Sequence, residues 1–241
     1  MLELDDLVTF DASPASGGAE FVRAQVRDRP GVRYVIHRRA PTSRSDGAAA
    51  VQRCRRVVEG RRLRCMLRFV ATIGPVDDPT CVYEDAPIGP PPRLGAARLE
   101  DVLRATIDVV DALAEVHAAG LVYHGLRAGC VAFTPGGAVL LDFAQAAPPR
   151  LAGDDVGESW QAAGDLRHVS PERVGRVDRG VDHRSDFYSL GVLLYEMLVG
   201  EPPFAADDPL ELVHPHLTRA PQSPHARVPT IPRFVSDVTR K

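Results

Sequence analysis

The sequence predicts an α+β fold built from two lobes. Residues 7–83 contain short runs of β-forming residues separated by turn-rich stretches. A proline-rich stretch follows at 87–92, and from residue 99 onward apolar residues recur at helical spacing. We therefore predict a small antiparallel-sheet lobe with one helix at 1–86, a hinge at 87–92 and a mainly helical lobe at 93–241.

The strands and the helix of the first lobe are predicted from short runs of β-forming residues and from the turn residues that separate them. Ser45 and Asp46 begin a helical pattern that stops near Gly60, so the one helix of this lobe is predicted at 46–59. The prolines of the hinge remove backbone donors and fix φ, which ends regular structure there. The predicted strands are Leu7–Phe10, Glu20–Val26, Val32–His37, Leu67–Ile73 and Thr80–Tyr83.

The second lobe is predicted from periodicity and from glycine and proline stops. Apolar residues spaced by three and four predict a helix at Leu99–His117. An apolar helix ends at Gly200, which is followed by two prolines. The remaining predictions are a β-hairpin of Val131–Phe133 and Ala138–Phe143, helices at Asp186–Val199 and Leu210–Leu217, a loop at Ala220–Pro232 and a last helix from Arg233 to Lys241.

The amino-acid composition argues against several classes of protein. The formal net charge is −3 and 44% of the residues are hydrophobic, which is ordinary for a globular protein. No apolar run is long enough to span a bilayer, and the acidic N-terminus lacks the basic region of a secretory signal. Four cysteines without C-x-x-C spacing argue against a zinc site or a disulfide framework. We expect a cytoplasmic protein with no membrane segment.

Two missing residue types restrict the chemistry. The single lysine is Lys241, the last residue, and the sequence contains no asparagine. A mechanism that needs an internal lysine or an asparagine is therefore excluded. The basic residues instead include an arginine cluster at Arg53–Arg68, which is either a surface for an acidic partner or a solvated helix face.

Four stretches carry a resemblance to a known family. They are "ALAEVHAAGLVY" (Ala112–Tyr123), "VLLDFA" (Val139–Ala144), "VSPE" (Val169–Glu172) and "GRVDRGVDHRSDFYSLGVLLYEMLVGEPPF" (Gly175–Phe204). They resemble stretches of eukaryotic-type serine/threonine protein kinases. In order, these are the helix that enters the catalytic loop, the strand that carries the D-F-G motif, the A-P-E motif that ends the activation segment, and the helix that follows it. The resemblance extends to bacterial multidomain signalling proteins, in which such a domain precedes an ATPase module. It implies a two-lobed protein kinase-like fold, truncated at the C-terminus.

The resemblance places degenerate residues at three catalytic positions. Kinases use a β3 lysine on the nucleotide phosphates, an aspartate that accepts the substrate proton and an asparagine on Mg²⁺. His37 takes the lysine position, Gly125 the aspartate position and Cys130 the asparagine position. A glycine accepts no proton, and a thiol is a poor ligand for Mg²⁺. No intact set of catalytic residues is therefore expected.

Other positions of the family are retained or only partly changed. The resemblance implies Asp142 of the D-F-G motif as the metal ligand and Val35, Glu84 and Ala86 as nucleotide contacts, so ATP and Mg²⁺ are the cofactors to test. Ser16-Gly17-Gly18-Ala19 is the nearest match to the glycine-rich loop, and Arg56 takes the place of the ion-pair glutamate. Phe143, Glu172 and Asp186 match structural positions of the family.

The sequence is compatible with two functions. The first is a pseudokinase that serves as an interaction or allosteric module in signalling, with a protein partner and with further domains beyond this chain. The second is a weak or atypical ATP-dependent serine/threonine kinase, or another nucleotide transferase, that relies on Asp142. A nucleic-acid partner is not expected, because the net charge is negative and no binding motif is present.

Overall fold

A computed structural model of the chain describes residues 7–13, 19–39, 63–73, 80–141, 143–149, 166–174, 180–206 and 209–240. The chain divides into two compact units. The first consists of residues 1–90 and 128–146, and the second of residues 91–127 and 147–241. The predicted α+β class is confirmed, with an antiparallel sheet in the first unit and helices in the second. The lobe boundaries at 86 and 93 stay a prediction.

The sheet of the first unit has the spatial order β1-β2-β3-β5-β4, and neighbouring strands are antiparallel. Its strands are β1 Leu7–Ser13, β2 Ala19–Val26, β3 Arg29–Arg39, β4 Phe69–Ile73 and β5 Thr80–Glu84. β3 begins earlier than predicted, because Val26 pairs with Arg29 across a two-residue turn. β4 begins at Phe69, two residues later than predicted, and the preceding Met66 forms an isolated bridge with Leu140.

Both faces of this sheet are covered within the first unit. Val35 and Ile36 are adjacent on β3, so their side chains point to opposite faces, and both are fully buried. Val35 belongs to a cluster with Leu67, Cys81, Tyr83, Ala132, Val139 and Leu141, and Ile36 to one with Leu7, Val22, Ala24, Ile73 and Val82. Burial on both faces explains why two apolar residues, Val35 and Ile36, are adjacent at the centre of a strand whose ends carry arginines.

The predicted hairpin belongs to the same unit. It consists of β6 Val131–Thr134 and β7 Gly137–Leu140. At its turn, Gly136 N–H donates to the Thr134 hydroxyl at 3.1 Å and Gly137 adopts a φ of 111°. The second strand was predicted to reach Phe143 but ends at Leu140. Leu141 N–H still donates to Cys130 O at 2.8 Å, but Cys130 already belongs to the 3₁₀ turn Ala128–Cys130, so the ladder stops there.

The second unit is helical. Its two long helices are α1 Leu99–Ala118 and α2 Arg184–Val199. α1 begins where Arg98 N–H donates to Asp101 Oδ2 at 3.1 Å, and the hydrogen bond from the Arg98 guanidinium holds the pKa of Asp101 below its usual range. α2 ends at Gly200, whose φ of 94° is the left-handed cap that the sequence predicts. The remaining helices are α3 Val213–Thr218, α4 Pro224–Arg227 and α5 Arg233–Thr239.

Two predictions in this unit need correction. The stretch Leu210–Leu217 is not one α-helix, since a 3₁₀ turn at Pro209–Leu212 precedes α3. The predicted loop Ala220–Pro232 contains α4, because Pro224 fits the first helical position and Ser223 O accepts the N–H groups of Ala226 and Arg227. The predicted helix at 46–59 lies outside the described residues. Across the described part of the chain, no helix is both long and apolar enough to cross a membrane.

The buried face of α1 carries a stability prediction with a matched control. Val116 is fully buried, whereas Val110 on the same helix is 39% exposed. Val116→Ala removes apolar contacts from the core and is expected to lower the free energy of unfolding by about 2 kcal/mol. Val110→Ala is expected to change it by less than about 0.5 kcal/mol. Urea denaturation followed by circular dichroism measures both, and equal losses would contradict the packing described for α1.

Candidate kinase site

The segment that follows α1 is buried along its whole length. Gly120 leaves the helix with a φ of 76°, and residues 121–127 are all buried. Val122 and Ala147 exchange backbone hydrogen bonds at 2.7 and 3.0 Å, which fixes the segment at its start. Burial at this density requires partners for every backbone N–H and C=O, and side chains supply several of them.

Asp186 on α2 is the main partner of this segment. Its side chain is fully buried. Oδ2 accepts the backbone N–H of Tyr123 at 2.7 Å, and Oδ1 accepts that of His124 at 2.7 Å. Nε2 of His117, in the last turn of α1, lies 2.8 Å from Oδ2. One carboxylate therefore connects the end of α1, the following loop and the first turn of α2.

Arg173 supports the same loop from a second direction. Its Nη1 donates to the carbonyl oxygen of His124, and the residue is only 9% exposed. His124 has a φ of 61°, which costs a residue with a side chain about 1–3 kcal/mol. His124 donates its N–H to Asp186 and accepts a hydrogen bond from Arg173 on its carbonyl oxygen, and these two bonds offset that cost. The next residue, Gly125, thereby follows a backbone held on both sides.

The segment 166–174 packs against the start of α2. The hydroxyl of Ser185 donates to a carboxylate oxygen of Glu172. Ser189 Oγ donates to His168 O at 2.6 Å, and Nε2 of His168 lies 3.2 Å from a carboxylate oxygen of Glu196, also on α2. Burial raises the pKa of Tyr188 on this face, and the nearby Glu172 carboxylate raises it further. These contacts tie the Ser-Pro-Glu stretch to the helix that carries Asp186.

The comparison with known families decides the identity of this arrangement. Residues 94–236, more than half of the chain, match the protein kinase domain family. The chain belongs to the protein kinase family. Strands β1 to β5 of the first unit precede the matched stretch, whereas the hairpin of β6 and β7 lies within it.

Several curated bacterial kinases are similar to this chain. A serine/threonine-protein kinase named PksC from Streptomyces coelicolor is 34% identical over 133 residues, 55% of this chain and 24% of the relative. A probable serine/threonine-protein kinase PknB from Bifidobacterium longum is 31% identical over 150 residues, 61% of this chain and 21% of the relative. Serine/threonine-protein kinase PknB from Mycobacterium tuberculosis is 36% identical over 121 residues, 50% and 19% respectively. The matched stretch thus spans about a quarter or less of these relatives.

The first unit contains the positions that the kinase resemblance assigns to the nucleotide. Val35 has no exposed surface, and Ala86 packs against its cluster. Glu84 is exposed, and its carboxylate lies 2.9 Å from Nη1 of Arg68. His37 lies on β3, where its backbone pairs with Cys81. The structure therefore brings Val35 and Ala86 together and leaves Glu84 at the surface in an ion pair.

The donor set does not fit Mg²⁺ at the kinase asparagine position. Cys130 is buried there, and its thiol is a soft ligand, whereas Mg²⁺ takes hard oxygen donors in octahedral geometry. Among the described residues, no cluster of His, Cys, Asp and Glu could hold a metal ion. Asp142, the predicted metal ligand, lies outside the described residues, as do Ser16–Gly18 and Arg56. Phe143 is buried beside that position.

Gly125, which the resemblance assigns to the position of the proton-accepting aspartate, lines a small pocket. The pocket is narrow, with a cavity volume of about 10 Å³, which is room for about one water molecule, and it is lined by residues 124–127, His168, Val169 and Arg173. Gly125 contributes backbone only. The family pattern singles out Gly125 and Asp186, and the assignment of Gly125 stays a prediction. The sequence does not indicate that His117 contacts Asp186 or that Arg173 contacts His124. A histidine in the last turn of a helix is a weak signal for such a contact, and nothing in the sequence marks Arg173.

The hydrogen bonds to Asp186 predict a measurable loss on isosteric substitution. In Asp186→Asn, one acceptor oxygen becomes an amide donor that faces a backbone N–H, so one buried bond is lost. We expect the free energy of unfolding to fall by about 1–3 kcal/mol. The control is Asp111→Asn on the exposed side of α1, which is expected to cost less than about 0.5 kcal/mol. Indistinguishable urea midpoints for the two variants would contradict the role assigned to Asp186.

Proposed function

We propose that this chain is a pseudokinase, a protein kinase domain that acts as a signalling, interaction or allosteric module without phosphoryl transfer. The observation that carries the proposal is Gly125. It follows directly on the two backbone groups that Asp186 holds, at the position where the resemblance assigns the proton-accepting aspartate. Buried hydrogen bonds hold the backbone on the N-terminal side of Gly125, and the group that would accept the proton is missing.

The loss extends to other groups that kinase chemistry requires. His37 stands at the lysine position and Cys130 at the asparagine position, and the chain has no internal lysine and no asparagine to replace them. A positioned acid or base contributes roughly 10²–10⁴-fold to a rate. Such losses do not add in a simple way. Even so, the combined loss would reduce turnover of about 1–100 s⁻¹ to a negligible rate.

The retained residues support a role as a scaffold. Asp186 keeps its full set of hydrogen bonds, and Glu172 contacts Ser185 at the start of α2. The ion pair that the resemblance implies for Glu172 stays a prediction. A protein partner would bind the helical unit or the Arg53–Arg68 cluster, and the greater length of the relatives is consistent with further domains. A cytoplasmic location stays a prediction.

An active kinase is the second candidate, because the matched relatives are named serine/threonine kinases. In that case Asp142 alone would be left to hold a metal with ATP. The motif Asp142-Phe143 is the feature that favours this candidate. It predicts that ATP with Mg²⁺ raises the melting temperature, by about 5–10 °C at 100 times the Kd, and that Asp142→Ala abolishes the shift.

A turnover assay separates the two candidates. The chain is incubated at high concentration with labelled ATP and either Mg²⁺ or Mn²⁺, alone and with serine/threonine peptides. The pseudokinase proposal predicts no phosphate transfer and no ADP formation above the level of Asp142→Ala. The variant Asp111→Ala, which changes an exposed residue of α1, is the control for activity lost during purification of a variant. Metal-dependent transfer that is present in the wild type and in Asp111→Ala but absent in Asp142→Ala would refute the proposal.

A further inference from the structure

An ion pair in the first unit joins β2 to the residue that follows β5. Arg23 lies on β2, and Asp85 comes directly after the last residue of β5. Arg23 Nε and Nη2 donate to Asp85 Oδ1 at 3.1 and 2.8 Å, and Nη2 also donates to Oδ2 at 3.0 Å. The two side chains are 24% and 29% exposed. Because β3 lies between β2 and β5 in the sheet, the ion pair spans the width of β3.

The register of the sheet shows which face of β3 the ion pair crosses. Val35 on β3 lies opposite Arg23 of β2 on one side and opposite Tyr83 of β5 on the other. Directly opposed residues of antiparallel strands point to the same face, so Arg23 shares the face of Val35. The side chains packed on that face come from the cluster of Leu67, Cys81, Ala132, Val139 and Leu141, with the partly buried Ala86 against it.

The segment that carries Asp85 is held at both ends. At its start, Glu84 N–H donates to Arg68 O at 2.9 Å, and at its end Gly89 and Phe133 exchange two backbone hydrogen bonds of 2.9 Å. The Asp85 carboxylate therefore meets the guanidinium from an ordered backbone, so the pair loses little entropy when it forms. The planar fork of an arginine also matches both carboxylate oxygens, which makes such a pair stronger than an ordinary exposed ion pair.

The ion pair lies among the positions that the kinase resemblance assigns to the nucleotide. Of the three assigned contacts, Val35 lies opposite Arg23, and Glu84 and Ala86 are the two chain neighbours of Asp85. A nucleoside that bound between Val35 and the segment 84–86 would have to separate the two charges. Separation would break three hydrogen bonds, and an uncharged base would leave both partly buried charges without an opposite charge.

We propose that the Arg23–Asp85 pair is an intramolecular clasp that closes the nucleoside site of the first unit and excludes adenosine. The inference deepens the proposed function, and it rests on the kinase resemblance for the identity of the nucleotide contacts. Both residues of the clasp and all three assigned contacts belong to the first unit. With the clasp closed, the chain holds no nucleotide, whatever residue stands at the proton-acceptor position.

Adenosine binding to the whole chain tests the clasp, because adenosine carries no phosphate and needs no metal. Equilibrium dialysis with labelled adenosine is expected to give a Kd above about 10 mM for the wild type. Arg23→Ala and Asp85→Ala each open the clasp, and each is expected to lower the Kd by about tenfold or more. The matched control is Arg68→Ala, which breaks the more exposed ion pair between Arg68 and Glu84 and is expected to leave the affinity unchanged.

A charge exchange keeps the test decisive if an alanine variant fails to fold. Arg23→Asp alone brings two carboxylates together, and we expect it to open the clasp as Arg23→Ala does. Addition of Asp85→Arg restores an ion pair of reversed polarity, and we expect the double variant to raise the Kd again by about tenfold or more. Circular dichroism establishes that each variant is folded before it is titrated.

Two results would overturn the proposal. One is a wild type that binds adenosine as tightly as the folded Arg23→Ala and Asp85→Ala variants. The other is the absence of adenosine binding in these folded variants as well as in the wild type, because the ion pair would then not be what excludes the nucleoside. Neither result depends on phosphate transfer, whereas the pseudokinase proposal fails on metal-dependent transfer, so the two failures are distinguishable.

Discussion

The buried carboxylate of Asp186 is the contact on which the second unit depends. A charged group in an apolar interior is costly unless hydrogen bonds satisfy it, and here two backbone N–H groups and an imidazole do so. Charge-assisted bonds of this kind are stronger than neutral ones. Because they join the end of α1, the loop 121–127 and the start of α2, loss of the carboxylate would affect all three at once.

These hydrogen bonds explain how the loop 121–127 of this kinase domain can keep its structure when the side chains that it carries change. Asp186 acts on the backbone of Tyr123 and His124, so it holds the loop whatever side chain follows. Under the proposed function, Gly125 occupies a loop that keeps its structure without the catalytic group. Arg173 supports the same backbone and lines the pocket beside Gly125.

Much of the fold could be predicted from the sequence, because the spacing of apolar residues and the positions of glycine and proline depend on local structure. Gly200 and the apolar spacing in α1 predicted helix ends close to the observed ones. The early start of β3 at Arg29 was not predicted, because it depends on the pairing of that residue with Val26. The short helix at Pro224 was not predicted, because it depends on local capping. For the site, Gly125 and Asp186 came from the family pattern. The contacts of His117 and Arg173 join residues 69 and 49 positions apart, and no local pattern encodes them.

The most direct test of the central claim is hydrogen exchange at the backbone amides of Tyr123 and His124, measured on the whole chain without nucleotide. If Asp186 holds the loop independently of catalysis, both amides exchange slowly, at rates comparable to those in the middle of α1. Exchange as fast as that of an exposed loop would contradict the claim. It would show that the loop forms only with a ligand.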